Sequence, residues 1–420
     1  MKSEWTQSSI DQVCVIVTDG AHNSPKSVDD GEYMASVKDF TEYGFDFSNC
    51  RRISKNDYDY LKKQGCVPEI GDVLVGKDGA RFFEDIIIYK QSERPALLSS
   101  IAILRPNNKI ITPEFLYYTL KTPSVKRDVR DNYGSGSAIP RIVLKDFKRM
   151  PISFPNLIEQ RKLTALCEAI DSKIQLNTKI NENLHAQAQE LLSSFFIDFS
   201  HFGGTMPNDW EQGTLGDIID FSNGYAFKSK ELLDVPKPDC YQVFKQGHIN
   251  RGGGFNSSGT KSWYPISQCA NLSKFVLHKG DVLMAMTDMK DNVAILGNTA
   301  LMTVDNEYIV NQRVGLLRSN GYKGTSYAYV YLLTNSFDFL KDLRSRANSG
   351  VQVNLSSTEI KASPVWIASN ATNEEFNSLT EPLLRMIMVN DSENQRLAVL
   401  RDTLLPRLMS GELDVSNLDF

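Results

Sequence analysis

LTALCEAIDSKIQLNTKINENLHAQAQELLSSFF (residues 163–196) and FNSLTEPLLRMIMVNDSENQRLAVLRDTLL (residues 376–405) decide the reading of this chain. In the first, Leu163, Ile170, Asn177, Leu184 and Leu191 fall seven apart, with Leu166, Ile174, Ile180, Ala188 and Phe195 at three or four between them. In the second, Phe376, Leu383, Asn390, Leu397 and Leu404 repeat the pattern, backed by Leu379, Ile387 and Leu400. Apolar residues at this spacing line one face of a helix and read as coiled-coil seams. Each helix should run about 35 to 40 residues, or roughly 50 to 60 Å at 1.5 Å per residue. That exceeds the needs of a globular helix and suits a spacer. Asn177 and Asn390 hold equivalent seam positions, where a polar side chain costs stability and can fix register and orientation. They are candidate helix-register residues, the alternative being that either faces solvent where the seam drifts.

The two stretches are parts of a larger repeat. A constant shift of 213 residues pairs Leu104 with Leu317, Arg105 with Arg318, Tyr118 with Tyr331, Pro151 with Pro364, Asn177 with Asn390, Asn181 with Asn394 and Leu191-Leu192 with Leu404-Leu405. Upstream, with small gaps, Glu4-Trp5-Thr-Gln7 answers Asp209-Trp210-Glu-Gln212, and GDVL at Gly71–Leu74 answers GDVL at Gly280–Leu283. An internal duplication follows, each half running from a Trp-led strand through a variable region, a GDVL strand and a tyrosine-rich helix to a long helix. Apolar runs at Ile86–Tyr89, Ser100–Leu104, Lys274–Leu277, Val282–Met286 and Val314–Leu317 have strand length, and Phe115–Lys121 and Tyr327–Thr334 read as short helices. Gly203-Gly204 and Pro207 mark the exit from the first half.

The expected fold class is therefore α+β: two mixed α/β domains in tandem, each followed by a long helix. The two helices are expected to pack as an antiparallel coiled coil about a pseudo-two-fold axis. Expected boundaries are 1–152 and 201–365 for the domains, and 153–200 and 366–420 for the helical spacers.

Composition narrows the function classes. At 420 residues and 41% apolar content the chain can bury more than one core. The six cysteines form no CxxC pair, which fits a reducing compartment. MKSEWTQSSIDQV at the N-terminus has no apolar core of leader length, and no apolar run approaches the roughly 18 residues of a membrane span, so a cytoplasmic protein with no membrane partner is expected. A net charge of −5 and pI near 5.7 argue against a free basic DNA-binding module, since phosphate neutralisation supplies most affinity. Any DNA reading needs local basic patches or a partner subunit to share the duplex.

Chemistry is missing from the usual places. There is no Asn-Pro-Pro-aromatic run, no GxGxxG after a strand and no GxxxxGK[ST] loop. Glu359-Ile-Lys361 looks like the end of a nuclease motif, but its counterpart Asp146-Phe-Lys148 makes it a repeated structural position. His22, His185, His201, His248 and His278 share no metal-ligand spacing, so no metal site is expected.

Several strings carry a family resemblance: TDGAHNSPK (18–26), PEIGDVLVGKDGA (68–80), TPEFLYYTL (112–120) and GSGSAIPRIVLKDFKRMPISFPNLIEQRKL (134–163) in the first half. The second half adds WEQGTLGDIIDFSNGYAFKS (210–229), YQVFKQGHINRGGGF (241–255) and LRDTLLPRLMSGEL (400–413). Together with the tandem architecture they resemble the specificity subunits of type I restriction-modification systems over essentially the whole chain. The second copy, NLSSTEIKASPVWIAS (354–369), keeps the apolar positions and the proline but loses the EQ-R run before the helix. The resemblance implies a non-catalytic, DNA-binding chain in which each recognition domain reads half of an asymmetric bipartite site. It implies that the helices set the half-site spacing and dock two methyltransferase (M) subunits, with restriction/translocase (R) subunits beyond. No cofactor is expected in this chain; S-adenosylmethionine, ATP and Mg would belong to the partner subunits. A non-catalytic coiled-coil adaptor that binds only proteins is the alternative reading.

Base reading needs donors and acceptors on loops. The first domain offers His22, Asn23, Lys26, Arg51, Arg52, Lys77 and Arg81, with Arg141 in the basic stretch Lys121–Arg149 as a candidate phosphate contact. The second offers Lys228, Lys230, Lys245, Arg251, Lys261, Lys290 and Arg346.

Overall fold

The computed structural model describes residues 5–79, 81–134, 141–289, 293–349, 352–413 and 415. Two compact units emerge, one of Met1–Ser172 with Ala398–Phe420, the other of Lys173–Leu397.

Both units are assembled in the same order. In the first, Thr6–Ser9 pairs antiparallel with Pro151–Phe154, and a four-stranded antiparallel sheet runs Cys14–Asp19, Ile101–Pro106, Val73–Gly76, Ile86–Ile88. A smaller mixed sheet orders Arg52–Ile53, Glu32–Ala35 and Ala96–Leu97, its last pair parallel. In the second, Glu211–Thr214 pairs with Pro364–Ile367, and the large sheet runs Ile219–Asn223, Val314–Ser319, Val282–Ala285, Thr299–Leu301. Its small sheet orders Trp263–Pro265, Cys240–Phe244 and Tyr308–Val310, again with the last pair parallel. The second unit adds a sheet of Thr287–Met289, Gln352–Asn354 and Asn348–Ser349. Both GDVL strands are buried along their whole length, as a continuous apolar run demands of a strand covered on both faces. The tyrosine-rich helices form at Pro113–Lys121 and Tyr327–Thr334, capped by Thr112 and Ser326. The expected strand at Lys274–Leu277 is instead a single 3-10 turn, Ser273–Phe275, with Leu277 buried beside Tyr308. Three apolar residues in a run of four do not reveal their period, so the run was open to either fate.

The long helices span Leu157–Leu192 and Asn370–Met409, 36 and 40 residues. Each unit draws on both. Leu163 and Cys167 join Leu405 and Leu408 in the core of the first unit, whereas Ala188 and Leu192 join Phe376, Leu384 and Met388 in that of the second. Seam positions seven apart are buried or half-buried, but Ile180, Leu379 and Leu400 are 39%, 42% and 47% exposed and do not belong to the seam. Thr380 and Leu384 are buried in their place. The buried stripe drifts from a strict seven-residue repeat because each helix must face a domain core as well as its neighbour.

Duplication extends to buried polar contacts. Arg105 donates to both carboxylate oxygens of Asp72, at 2.8 and 3.0 Å, and Arg318 to both of Asp281, at 2.7 Å each. The two forks tie the start of the GDVL strand to its neighbour in each large sheet. At the helix entries, the Gln160 amide donates to the carbonyls of Ile110 and Pro155, while Asn373 donates to those of Lys323 and Ala368. These are equivalent positions under the 213-residue shift. The lost EQ-R run therefore leaves the contact intact, because a shorter amide replaces the glutamine.

Truncating Arg105 leaves the Asp72 carboxylate, 1% exposed, without its cation and with only the Glu69 backbone N–H donating to it. Arg105→Ala is expected to destabilise the first unit by about 3 kcal/mol, as breaking buried ion pairs does, and Arg318→Ala the second by a similar amount. Urea melts followed by limited proteolysis of each unit would measure both, and unchanged melts would refute the assignment.

Candidate nucleic-acid interface

In both units the first strand of the large sheet ends at a glycine pressed against backbone. A Cβ on Gly20 would lie 2.2 Å from the Leu97 carbonyl oxygen, and one on Gly224 2.1 Å from that of Asn311. Only glycine fits so close an approach. The next residue then forms a parallel bridge in each case, Ala21 with Leu98 and Tyr225 with Asn311. Two loops of different sequence thus leave the two sheets from the same place.

In the first unit this loop presents His22, Asn23 and Lys26, all exposed. His22 Nε2 lies 3.2 Å from an oxygen of Asp19, and His22 and Asn23 border a groove of about 660 Å³ shared with Tyr60 and Gln64. Arg51 does not reach outward; its guanidinium donates to Ser24 Oγ and the Pro25 carbonyl and so braces the loop from behind. Arg52 is likewise engaged, donating to the Gly31 carbonyl at 2.6 Å and the Tyr33 hydroxyl at 2.8 Å while stacking over the Tyr33 ring. Lys77 is buried between Asp19, at 3.2 Å, and Asp78, at 3.7 Å, and underlies the loop root. Arg81 is exposed but held by Asp85 at 2.6 Å. Arg141 is exposed at the head of the segment leading to the long helix, its backbone bridged to Asp78. Within the basic stretch, Lys148 pairs with Asp11 and Arg149 with Asp146, so its cations do not form one continuous patch.

In the second unit Lys228 and Lys230 lie exposed on the equivalent loop, Lys228 at 3.6 Å from Glu231. Arg251 and Lys261 are exposed on the segment beyond Cys240–Phe244, and Lys245 is half-buried at its start. Arg346 pairs with Asp342 and donates to the Ala362 carbonyl at 3.2 Å, a structural position. Lys290 lies outside the described residues. His248 is buried, and burial pulls its pKa down to about 4, so it is a neutral core residue whose Nδ1 accepts from the Lys245 backbone N–H at 3.0 Å.

One further feature escaped the sequence reading, and another was legible only in part. Asp288 accepts the backbone N–H groups of Met289, Ala294, Ile295 and Leu296. Burial alone would raise its pKa, but the four donors outweigh it and hold the carboxyl below its ordinary value. It fixes the segment flanking Lys290, and no local spacing signals a carboxylate that caps a loop several residues on. The Arg–Asp forks were legible, since GDVL and the arginine pair were both visible as repeats. What was missing was their adjacency in the sheet. Among the described residues no cluster of three His, Cys, Asp or Glu is placed to hold a metal ion, and no helix is long and apolar enough to cross a membrane.

Within the second unit the two long helices lie antiparallel across a set of four buried or half-buried amides. Asn177 Nδ2 donates to Asn394 Oδ1 at 2.9 Å, and Asn390 Nδ2 to Asn181 Oδ1 at 2.8 Å. The 213-residue shift carries one bond onto the other, so the two are equivalent contacts of the repeated helices. Asn177 donates further to Glu393 at 2.7 Å and Asn181 to Asp391 at 2.7 Å. Asn177 is 1% exposed and Asn390 7%, so both face the neighbouring helix rather than solvent.

Asp391 gives the quartet a pH dependence. Burial pushes its carboxyl from 3.8 up to about 6, against the opposing bond from Asn181. A folded pKa above the unfolded one means that its stabilising contribution is full below about pH 4 and lost as pH rises through 6. Between pH 4 and 7 the stability of the unaltered chain relative to Asp391→Asn should fall. Urea midpoints of the two proteins across that range check this, and a pH-independent difference would contradict it.

Comparison with known proteins accords with this geometry. Residues 2–186 and 207–376 match the family described as "Type I restriction modification DNA specificity domain". The chain is 24% identical over 325 residues to the type I restriction enzyme MjaIX specificity subunit of Methanocaldococcus jannaschii, covering 73% of this chain and 71% of that protein. It is 22% identical over 402 residues to the HindI specificity subunit of Haemophilus influenzae, covering 82% and 86%. The crystal structure of a type I restriction-modification S subunit from M. genitalium shares the fold, with a TM-score of 0.58 at 18% identity, over 97% of this chain and 96% of that one. The chain belongs to the type I restriction modification DNA specificity domain family and carries that domain twice.

Proposed function

We propose that the chain is the specificity subunit of a type I restriction-modification complex in which each unit reads one half of an asymmetric bipartite DNA site. The observation that carries this reading is the pair of glycine-rooted loops. They occupy one topological place in two copies of one fold, yet they present different side chains, His22, Asn23 and Lys26 in one and Lys228 and Lys230 in the other. A common scaffold with divergent donors is what reading two different half-sites requires. As a specificity subunit the chain is a non-catalytic component that binds DNA within a complex of partner subunits. Two methyltransferase subunits, with restriction/translocase subunits added for cleavage, complete that assembly in our reading. The net charge of −5 supports shared work, since the chain alone neutralises few phosphates.

The long helices set the separation of the half-sites, and Asn177 and Asn390 hold their register. Leucine would pack as well in the seam but would not select one alignment, whereas paired amides penalise every slip that leaves a buried amide unmatched.

In complexes reconstituted with methyltransferase subunits, replacing His22, Asn23 and Lys26 by alanine should relax base preference at one half-site only. Replacing Lys230, Arg251 and Lys261 should relax the other. Sequence selection from random duplexes reads both, and an adaptor that binds only protein would show no preference to lose. Inserting seven residues into one long helix alone should abolish binding by mismatching the amides. Matched insertions in both should keep the half-sites and widen the gap between them, and an unchanged gap would exclude the spacer role.

A further inference from the structure

The first unit carries a partly open cavity of about 480 Å³ whose walls hold five cations, Lys121, Lys126, Arg127, Arg130 and Arg401. Only Glu84 and Asp402 oppose them on the lining. Glu84 takes both Lys126, at 2.8 Å, and Arg130, and Arg401 is held by Asp171 at 2.6 Å and Asp402 at 2.9 Å, with Glu42 at 3.8 Å. Lys121 donates to the Tyr117 hydroxyl at 2.8 Å and has no carboxylate within ion-pair distance among the described residues. Arg127 is exposed at the rim and pairs with none of them. Burial and then Arg401 lower the Lys121 pKa, against Asp171, Glu42 and Asp402, and Lys126 is lowered by burial and then by Lys121, against Asp85 and Asp402. The cations therefore strain against one another.

The fold does not require them. Under the 213-residue shift the positions of Lys121, Lys126, Arg127, Arg130 and Arg401 are occupied in the second unit by Thr334, Phe339, Leu340, Leu343 and Ala188, every one buried. One chain thus holds a neutral, mostly apolar and a cationic solution to the same packing problem. Clustered cations that replace a well-packed apolar set cost stability unless an anion compensates them. A volume of this size suits a small ligand. Tyr118, Pro123 and Leu405 supply an apolar wall beside the charges.

We propose that this cavity binds the phosphate groups of a nucleotide-sized polyphosphate, such as a nucleoside di- or triphosphate, at a site separate from the DNA-reading loops. Lys121 and Arg127 are the residues with charge to spare, and Lys126, Arg130 and Arg401 complete the cradle. The inference does not depend on the DNA reading.

The full chain should be titrated with sodium pyrophosphate, ADP and ATP by calorimetry at low salt, with adenosine as the uncharged control and sulfate as the simple anion. Saturable 1:1 binding of pyrophosphate and ADP is expected, at least tenfold tighter than sulfate or adenosine, and at least tenfold weakened in Arg127→Gln and Lys121→Met. Arg127→Gln alters an exposed side chain, so it remains informative if Lys121→Met folds poorly, and circular dichroism would report that. The proposal is overturned if pyrophosphate and ADP do not bind, or if both folded variants bind them as the unaltered chain does. It is equally overturned if Arg127→Gln weakens only duplex binding, or only capture of the methyltransferase subunits, with no polyphosphate bound.

Discussion

Each recognition unit depends on one buried fork, Arg105 on Asp72 and Arg318 on Asp281. The aspartates open the central strands of the large sheets and are almost fully buried, 1% and 6% exposed. A bare carboxylate at such a place would cost several kcal/mol of desolvation, so pairings that leave the arginine out of reach are disfavoured. The strand that carries the arginine is also the one on which the first strand pairs, so the fork and the loop roots at Gly20 and Gly224 share one strand in each sheet. A rigid base with variable tips is the arrangement in which side chains can change without moving the frame that aims them.

The polar content of the helices works differently. Burying amides among apolar residues sacrifices hydrophobic area, and Asn177, Asn181, Asn390 and Asn394 recover part of it only when they meet one another. An alignment that separated them would leave buried amides unmatched, which costs more than the net gain of the bonds they make. The carboxylate of Asp391 beside them is a cost of the same kind, tolerated because Asn181 donates to it.

Set side by side, the two units also show what duplication leaves free. Core and helix-entry contacts are kept even where residue types change, as with Gln160 and Asn373. Loops and the cationic cavity wall differ completely. The acidic total charge of the chain is therefore compatible with concentrated positive charge at particular places, since the cations of the first unit gather on Pro123–Asn132 and around Arg401.

By itself the sequence determined the duplication, the order of elements, the long helices and the absence of familiar catalytic motifs, because periodicity and repetition are local and survive without coordinates. It also pointed to His22, Asn23, Lys26 and Lys230, since a loop rich in Asn, Pro and Lys is exposed in most folds. It could not separate them from Arg51, Arg52, Lys77 and Arg346, which carry the same charge but are consumed by partners 16 to 58 residues away or by an adjacent turn. Nor could it show that Ile180, Leu379 and Leu400 leave the seam, because a seven-residue spacing does not record which other surface a helix must cover. Only the tertiary structure decided which cations are free, which amides meet and where charge is left unopposed. Those properties belong to pairs of residues brought together by folding, and a single chain position carries no trace of its distant partner.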